Sequence, residues 1–313
     1  MSTIREKDLG GYIEFLSQKH KIYTPQLNAG TLTLKEYVKD AKTVFNQSLP
    51  SASPKNHFLK HGEPFFTFIG DEIYEPTPPA PKTLFGVTPW DNQALRILDD
   101  IMFEEPADYY YRIRRQNTTI IVLDDRRKPP NSFTDQIGCN LNEGYDLYLT
   151  KFGGEYDVTV GSQKGADYLN APQIRPGEHH IIQQEKKEKK LDLAAIKKYL
   201  DEGPHKKLWM RLAEKCISCG LCSYVCPLTH SFNIEDHQSL NLGVSVRKRN
   251  WENIMSQKHL GEDHVKIHEW FRRKFSQSIE ERGTPECVGC GRCTTFCPQG
   301  IDFEETLSNC EKR

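Results

Sequence analysis

The residues of this chain whose type and spacing can do chemistry are cysteines. Cys216, Cys219, Cys222 and Cys226 are followed at once by Pro227, and Cys287, Cys290, Cys293 and Cys297 by Pro298. Both runs read C-x2-C-x2-C-x3-C-P, the ligand spacing of iron–sulfur clusters. Three thiolates on one tight turn can reach three irons of a cubane. The same turn cannot wrap the far corner, so the fourth iron takes a cysteine from elsewhere. In two-cluster proteins that cysteine is the last of the other run. The expected ligands are therefore Cys216, Cys219, Cys222 and Cys297 for one [4Fe-4S] cluster. Cys287, Cys290, Cys293 and Cys226 are expected to hold a second.

Structural zinc also takes four thiolates, but zinc sites more often use two separated CxxC pairs than a triplet with a distant fourth ligand. Disulfides are disfavoured by the crowding within each run and by the reducing compartment expected for a chain without an export signal. Gly220 and Gly291 each follow the second cysteine of a run. They either let backbone approach a cluster and offer an N–H to sulfur, or serve as turn glycines with positive φ. Cys139 and Cys310 have no partner at ligand spacing and read as small hydrophobes or free thiols. His205 and His230 lie near the runs without forming a ligand pattern. Trp209 reads as core packing before it reads as a cluster shield.

Composition bounds the rest. With 313 residues the chain has room for roughly two domains. Ten cysteines are too few for a small disulfide scaffold. Lys+Arg 42 against Asp+Glu 43 leaves a net charge of −1, which argues against a chain built to coat nucleic acid. The aromatic and basic run at 109–116 is read in that light, and a strand pattern follows it directly. Arg247-Lys248-Arg249 and Arg272-Arg273-Lys274 are read first as solvated faces, and second as charges offsetting thiolate-ligated clusters or steering an acidic carrier. No long apolar run suggests a membrane span. The first 15 residues show no apolar signal region, so a cytoplasmic location is expected. No nucleotide-binding glycine motif, G-x-S-x-G or H-E-x-x-H is present, and no residue is marked out as catalytic.

The elements that must position the cysteines fall into two regions. Helical spacing at 9–16 and 91–103 alternates with strand-like segments at 65–69, 83–87, 118–123, 145–149 and 156–160. Residues 1–180 therefore read as a mixed α/β domain. A run of Gln, Glu and Lys at 183–190 marks a charged linker, placed at 181–190. Residues 191–313 read as helix-rich, with helices at 191–199 and 207–215. A 60-residue connection separates Cys226 from Cys287. Within it, 234–238, 246–255 and 265–279 are all patterned like helices. The fold class expected is α+β followed by an all-helical two-cluster ferredoxin domain. Such a domain resembles the iron–sulfur subunits of fumarate reductase and heterodisulfide reductase.

The order of motifs resembles, along nearly the whole chain, the β subunits of soluble archaeal sulfhydrogenases and the similar iron–sulfur electron-transfer subunits of anaerobic sulfite reductases. The likeness runs from Tyr12-Ile13-Glu14-Phe15-Leu16 and Lys21-Ile22-Tyr23-Thr24-Pro25 through Pro54-Lys55-Asn56-His57-Phe58-Leu59-Lys60. It continues with Phe85-Gly86-Val87-Thr88-Pro89-Trp90-Asp91, Tyr109-Tyr110-Tyr111-Arg112-Ile113-Arg114-Arg115 and Gly144-Tyr145-Asp146-Leu147. Arg247-Lys248-Arg249-Asn250-Trp251 and the two cysteine runs complete it. The resemblance implies an electron-transfer subunit of a hetero-oligomeric anaerobic oxidoreductase complex. A flavin- and NAD(P)-binding subunit would stand on one side, and a hydrogenase or sulfite reductase catalytic subunit on the other. Electron transfer in a heterodisulfide-reductase-type complex is an alternative, and a binding module with structural metal sites is another. The chain departs from the family where cysteines are expected and Trp90, Ser132 and Thr134 stand instead. Thr229, Ser231 and Ile254 replace further ones. These departures imply a member reduced to two clusters, with an N-terminal domain that serves docking.

Overall fold

The computed structural model describes residues 2–28, 30–45, 50–138, 143–177, 180, 190–239 and 243–312. The charged linker, apart from Lys190, and Cys139 lie outside the described residues. The chain forms two compact units. The first comprises residues 1–54, 80–191 and 287–292, and the second 55–79, 192–286 and 293–313.

An eight-stranded sheet organises the first unit. Its order is Arg175–Pro176, Ser2–Arg5, Glu155–Val160, Leu147–Phe152, Thr118–Asp124, Lys82–Val87, Lys21–Asn28 and Thr31–Glu36. Leu147–Phe152, Thr118–Asp124, Lys82–Val87 and Lys21–Asn28 run parallel to one another, and the other neighbours in the sheet pair antiparallel. Parallel strands are covered on both faces and so read as unbroken apolar runs. Thr118–Asp124 fits, being buried in all but its last residue. The helix Leu9–Ser17 buries Leu9, Tyr12, Ile13 and Leu16. Their spacing makes one apolar stripe, which joins Phe85, Ile121, Leu147 and Leu149 in the core. The helix Pro89–Met102 follows Lys82–Val87 directly. The Thr88 hydroxyl caps its start by accepting from the Asp91 amide, and Pro89 takes the first turn, where a missing N–H is harmless.

The second unit packs the helices Leu193–Asp201, Lys207–Lys215, Asp263–Arg272 and Phe303–Glu311. Trp209 is fully buried among Tyr199, His268 and Phe271, so it serves the core. The expected fold class holds: a mixed α/β N-terminal region and a helical ferredoxin domain. That domain is not helical throughout. Residues 234–238 and 246–251, within the segments expected as helices over 234–238 and 246–255, lie in strands of an antiparallel sheet ordered Phe232–Gln238, Val244–Trp251, Glu63–Ile69 and Glu72–Tyr74. Short apolar runs do not distinguish the two periods. What decides is pairing: the two segments form a hairpin, and Val244–Trp251 also pairs with Glu63–Ile69, far earlier in the chain. Arg247 reaches both Asp236 carboxylate oxygens at 2.8 Å, and the buried Arg249 lies 4.5 Å from the ring centres of Phe65 and Phe232. The same pairing draws 55–79 into the second unit, while 287–292 packs in the first, so the division expected at 180 and 191 is crossed twice.

Candidate metal centre

Cys216 caps the helix Lys207–Lys215, and Cys222 sits in the short helix Leu221–Val225. Ser218 and Gly220 between them take left-handed backbone, with φ of +55° and +70°, which curls the triplet into a tight turn. Cys216, Cys219, Cys222 and Cys297 line one cavity. The rest of its wall is Gly220 and apolar side chains, among them Met255, Ile267, Trp270, Phe271 and Phe303. The Ser218 amide donates to Cys216 Sγ and the Ile301 amide to Cys297 Sγ, each at 3.4 Å. Burial, reinforced by the neighbouring Cys216 and Cys226 sulfurs, pushes the Cys222 thiol up to about 12. Such a thiol ionises readily only when a cation takes its lone pair, and a bound metal does this outright. The donors and the apolar wall therefore fit a thiolate-ligated cluster. Among the described residues no three His, Cys, Asp or Glu converge on a point that would hold one ion; these four thiols stand around a cavity.

Cys226 has different surroundings. Lys274 Nζ donates to its sulfur at 3.4 Å. Burial alone would raise the Cys226 pKa, but the ammoniums of Lys274 and Lys55 outweigh it and hold the thiol below its ordinary value. Both lysines are buried, at 7% and 1% exposure. Lys274 lies over the Trp270 ring at 4.5 Å, and Lys55 over Trp251 at 4.3 Å while donating to the Thr229 carbonyl at 2.9 Å. A π-turn at Arg273–Gln277 carries Lys274. Such bulges shift a side chain off the regular helical stripe. Nearby, His230 Nδ1 is 3.1 Å from Glu286 Oε1. Burial would depress this histidine, and the carboxylate reverses that and raises it.

The remaining cysteines are divided between the units. Cys293 lies in the second, while Cys287 and Cys290 lie in the first. The Gly289 amide donates to Cys287 Sγ at 3.3 Å. Its carbonyl accepts from the Phe133 amide at 2.8 Å and from the hydroxyls of Ser132 and Thr134 at 3.2 and 3.3 Å. Gly291 has φ +76°, and a Cβ there would stand 2.4 Å from the Asn131 carbonyl oxygen. A Cβ at Gly220 would meet the Asn253 side chain at 2.3 Å. The two glycines thus serve turns and close loop approach, while Ser218, Gly289 and Ile301 supply amide donors to sulfur. Arg292 is buried and hydrogen-bonded to both Asp91 and Cys290.

The positions where the resembled family carries extra cysteines are also gathered in space. Trp90, Ser132 and Thr134 line one cavity of about 200 Å³ in the first unit. Thr229, Ser231 and Ile254 line another of about 300 Å³ in the second. Cys310 is buried, in the helix Phe303–Glu311. The aromatic and basic run at 109–116 forms the helix Tyr109–Gln116, where Arg115 pairs with Asp99 and Arg112 with Glu105. Sequence reasoning missed Asp91, Lys55 and Arg292 as partners of the cysteine loops. It flagged Lys274 only within a basic triplet. Arg292 carried a signal, lying between Cys290 and Cys293 of the second cysteine run.

Residues 215–301 match the family model described as a 4Fe-4S dicluster domain, so this part of the chain is a 4Fe-4S ferredoxin domain. The chain is a homologue of Sulfhydrogenase 2 subunit beta of Pyrococcus furiosus (strain ATCC 43587 / DSM 3638 / JCM 8422 / Vc1). The two are 25% identical over 93% of this chain and 92% of that protein. No solved structure matches the chain. Among the described residues, no helix is long and apolar enough to cross a membrane.

Proposed function

We propose that this chain is the electron-transfer subunit of a cytoplasmic, hetero-oligomeric anaerobic oxidoreductase of the sulfhydrogenase type. It would relay single electrons between a flavin/NAD(P)-binding subunit and a catalytic subunit of the hydrogenase or sulfite reductase kind. The observation that carries this reading is the apolar cavity ringed by Cys216, Cys219, Cys222 and Cys297, three from one run and the last from the other. The relative's name, a sulfhydrogenase beta subunit, supports the choice of complex.

Two [4Fe-4S] clusters supply reversible one-electron chemistry when bound. Cys216, Cys219, Cys222 and Cys297 would hold one, and Cys287, Cys290, Cys293 and Cys226 the other. The residues do the rest. Trp270, Phe271 and Ile267 exclude water from the first ligand set, and amides of Ser218 and Ile301 donate to its sulfurs. Lys274 neutralises charge at Cys226.

Anaerobically purified protein should be brown and carry about eight irons per chain. Reducible EPR signals are expected, and a flavoprotein with a hydrogenase or sulfite reductase should co-purify. Colourless protein with stoichiometric zinc would sink the reading in favour of a binding module with structural metal. Cys226→Ser should damage the centre held by Cys287, Cys290 and Cys293; damage confined to the other centre would show the pairing wrong.

A further inference from the structure

Electrons move between two centres according to which is more easily reduced. Net charge and hydrogen bonds at the sulfurs set that order. Reduction adds one negative charge, so a buried cation beside a ligand sulfur favours it, and a carboxylate or an apolar wall opposes it.

The two ligand environments in the second unit differ in this respect. Around Cys216, Cys219, Cys222 and Cys297 no Lys or Arg lines the cavity among the described residues. The Asp263 carboxylate accepts from the hydroxyl of Ser218, two residues after Cys216, and is paired with Lys266 at 3.1 Å. At Cys226 a buried cation stands directly against the sulfur. Lys274 donates a charge-assisted hydrogen bond to the sulfur at 3.4 Å, and Lys55 adds a second buried ammonium. Both lysines are fixed by carbonyls and aromatic rings: Lys55 by Thr229 and Trp251, Lys274 by Glu286 and Trp270. Such fixed charges are not free to swing away into solvent.

We propose that Lys274 and Lys55 make the cluster ligated by Cys226 the more readily reduced of the two, so that electrons entering this chain settle on the Cys226 side. The inference rests on the two-cluster relay proposed for the chain. It goes beyond that relay by giving it a downhill direction, and it makes the two lysines positioning residues for charge.

The test is an anaerobic redox titration of the full chain, with dithionite supplying the electrons and EPR reading each centre. Two one-electron midpoints are expected. Lys274→Met should lower the reduced-to-oxidised ratio of the higher-potential centre about tenfold at fixed applied potential, ~59 mV for one electron. The lower centre should not move. Lys274→Arg should stay close to the parent, and Lys55→Met should shift the same centre in the same direction. Asp263→Asn should raise the lower centre instead. A shift of the lower centre by Lys274→Met, or two midpoints indifferent to these lysine variants, overturns the proposal while leaving the relay intact. If Lys274→Met loses iron, Lys55→Met and Asp263→Asn decide by the same criteria. A parent protein with no reducible cluster overturns the relay reading and this proposal with it.

Discussion

Arg292 and Asp91, 201 residues apart, face each other in a buried bidentate ion pair, with Nη1 to Oδ1 at 2.6 Å and Nη2 to Oδ2 at 2.7 Å. Each side chain is 1% exposed, and Arg292 Nε donates to the Pro50 carbonyl at 2.8 Å. The pair anchors the second cysteine run to the start of the helix Pro89–Met102. Burial alone would lower the Arg292 pKa, but the Asp91 carboxylate holds it above the ordinary value.

Removing one partner strands a buried charge, which is expected to destabilise by about 3–5 kcal/mol. Asp91→Ala should therefore move the guanidinium unfolding midpoint sharply down. Adding Arg292→Met to that variant should recover part of the loss, because the stranded charge goes with it. A loss under about 1 kcal/mol for Asp91→Ala would contradict a buried pair.

Gly291 and Gly10 should respond to alanine with opposite signs. At Gly291 the backbone is left-handed and a Cβ would sit 2.4 Å from the Asn131 carbonyl, so Gly291→Ala should lower the Tm. At Gly10, in the helix Leu9–Ser17, a Cβ meets nothing within 4 Å. Gly10→Ala should stabilise by up to about 1 kcal/mol through the reduced freedom of the unfolded chain. Thermal unfolding of the two variants checks both signs.

His268 gives a pH dependence of known sign. It is buried at 3% exposure, with Nε2 2.8 Å from the Leu200 carbonyl oxygen. Burial holds its pKa below the ordinary 6.5. The unfolded chain then binds more protons in that range, so stability rises with pH. Its contribution is present above pH 6.5 and is lost as pH falls through the depressed value. Unfolding midpoints measured between pH 7.5 and roughly 5 should fall less steeply in His268→Gln than in the parent; equal slopes would exclude the histidine as their source.

Cys222 and Cys310 should separate ligand from core. Cys222→Ala should cut iron from about eight to about four per chain. Cys310→Ala should leave iron unchanged and show only the stability loss of a small buried side chain. Iron lost on changing Cys310 would reassign that residue.

Much of this was legible along the chain. The helices Leu9–Ser17, Pro89–Met102 and Lys207–Lys215 and the strand Thr118–Asp124 follow from local periodicity. The ends of the cysteine loops follow from turn chemistry. The hairpin Phe232–Gln238 and Val244–Trp251 did not follow, because Glu63–Ile69, the strand that Val244–Trp251 pairs with on its other side, lies more than 170 residues earlier. No window on the chain contains both sides of that pairing.

The proposed chemistry can be read along the chain. Thiolate ligation depends on which residues share one short turn, and that is written in the spacing of Cys216 to Cys226 and Cys287 to Cys297. What surrounds the thiols comes from folding. Asp91 under Arg292, Lys274 on Cys226 and the apolar ring about Cys222 and Cys297 bring together residues distant in sequence. Burial and charge act through space, so their placement became visible only once the chain had folded.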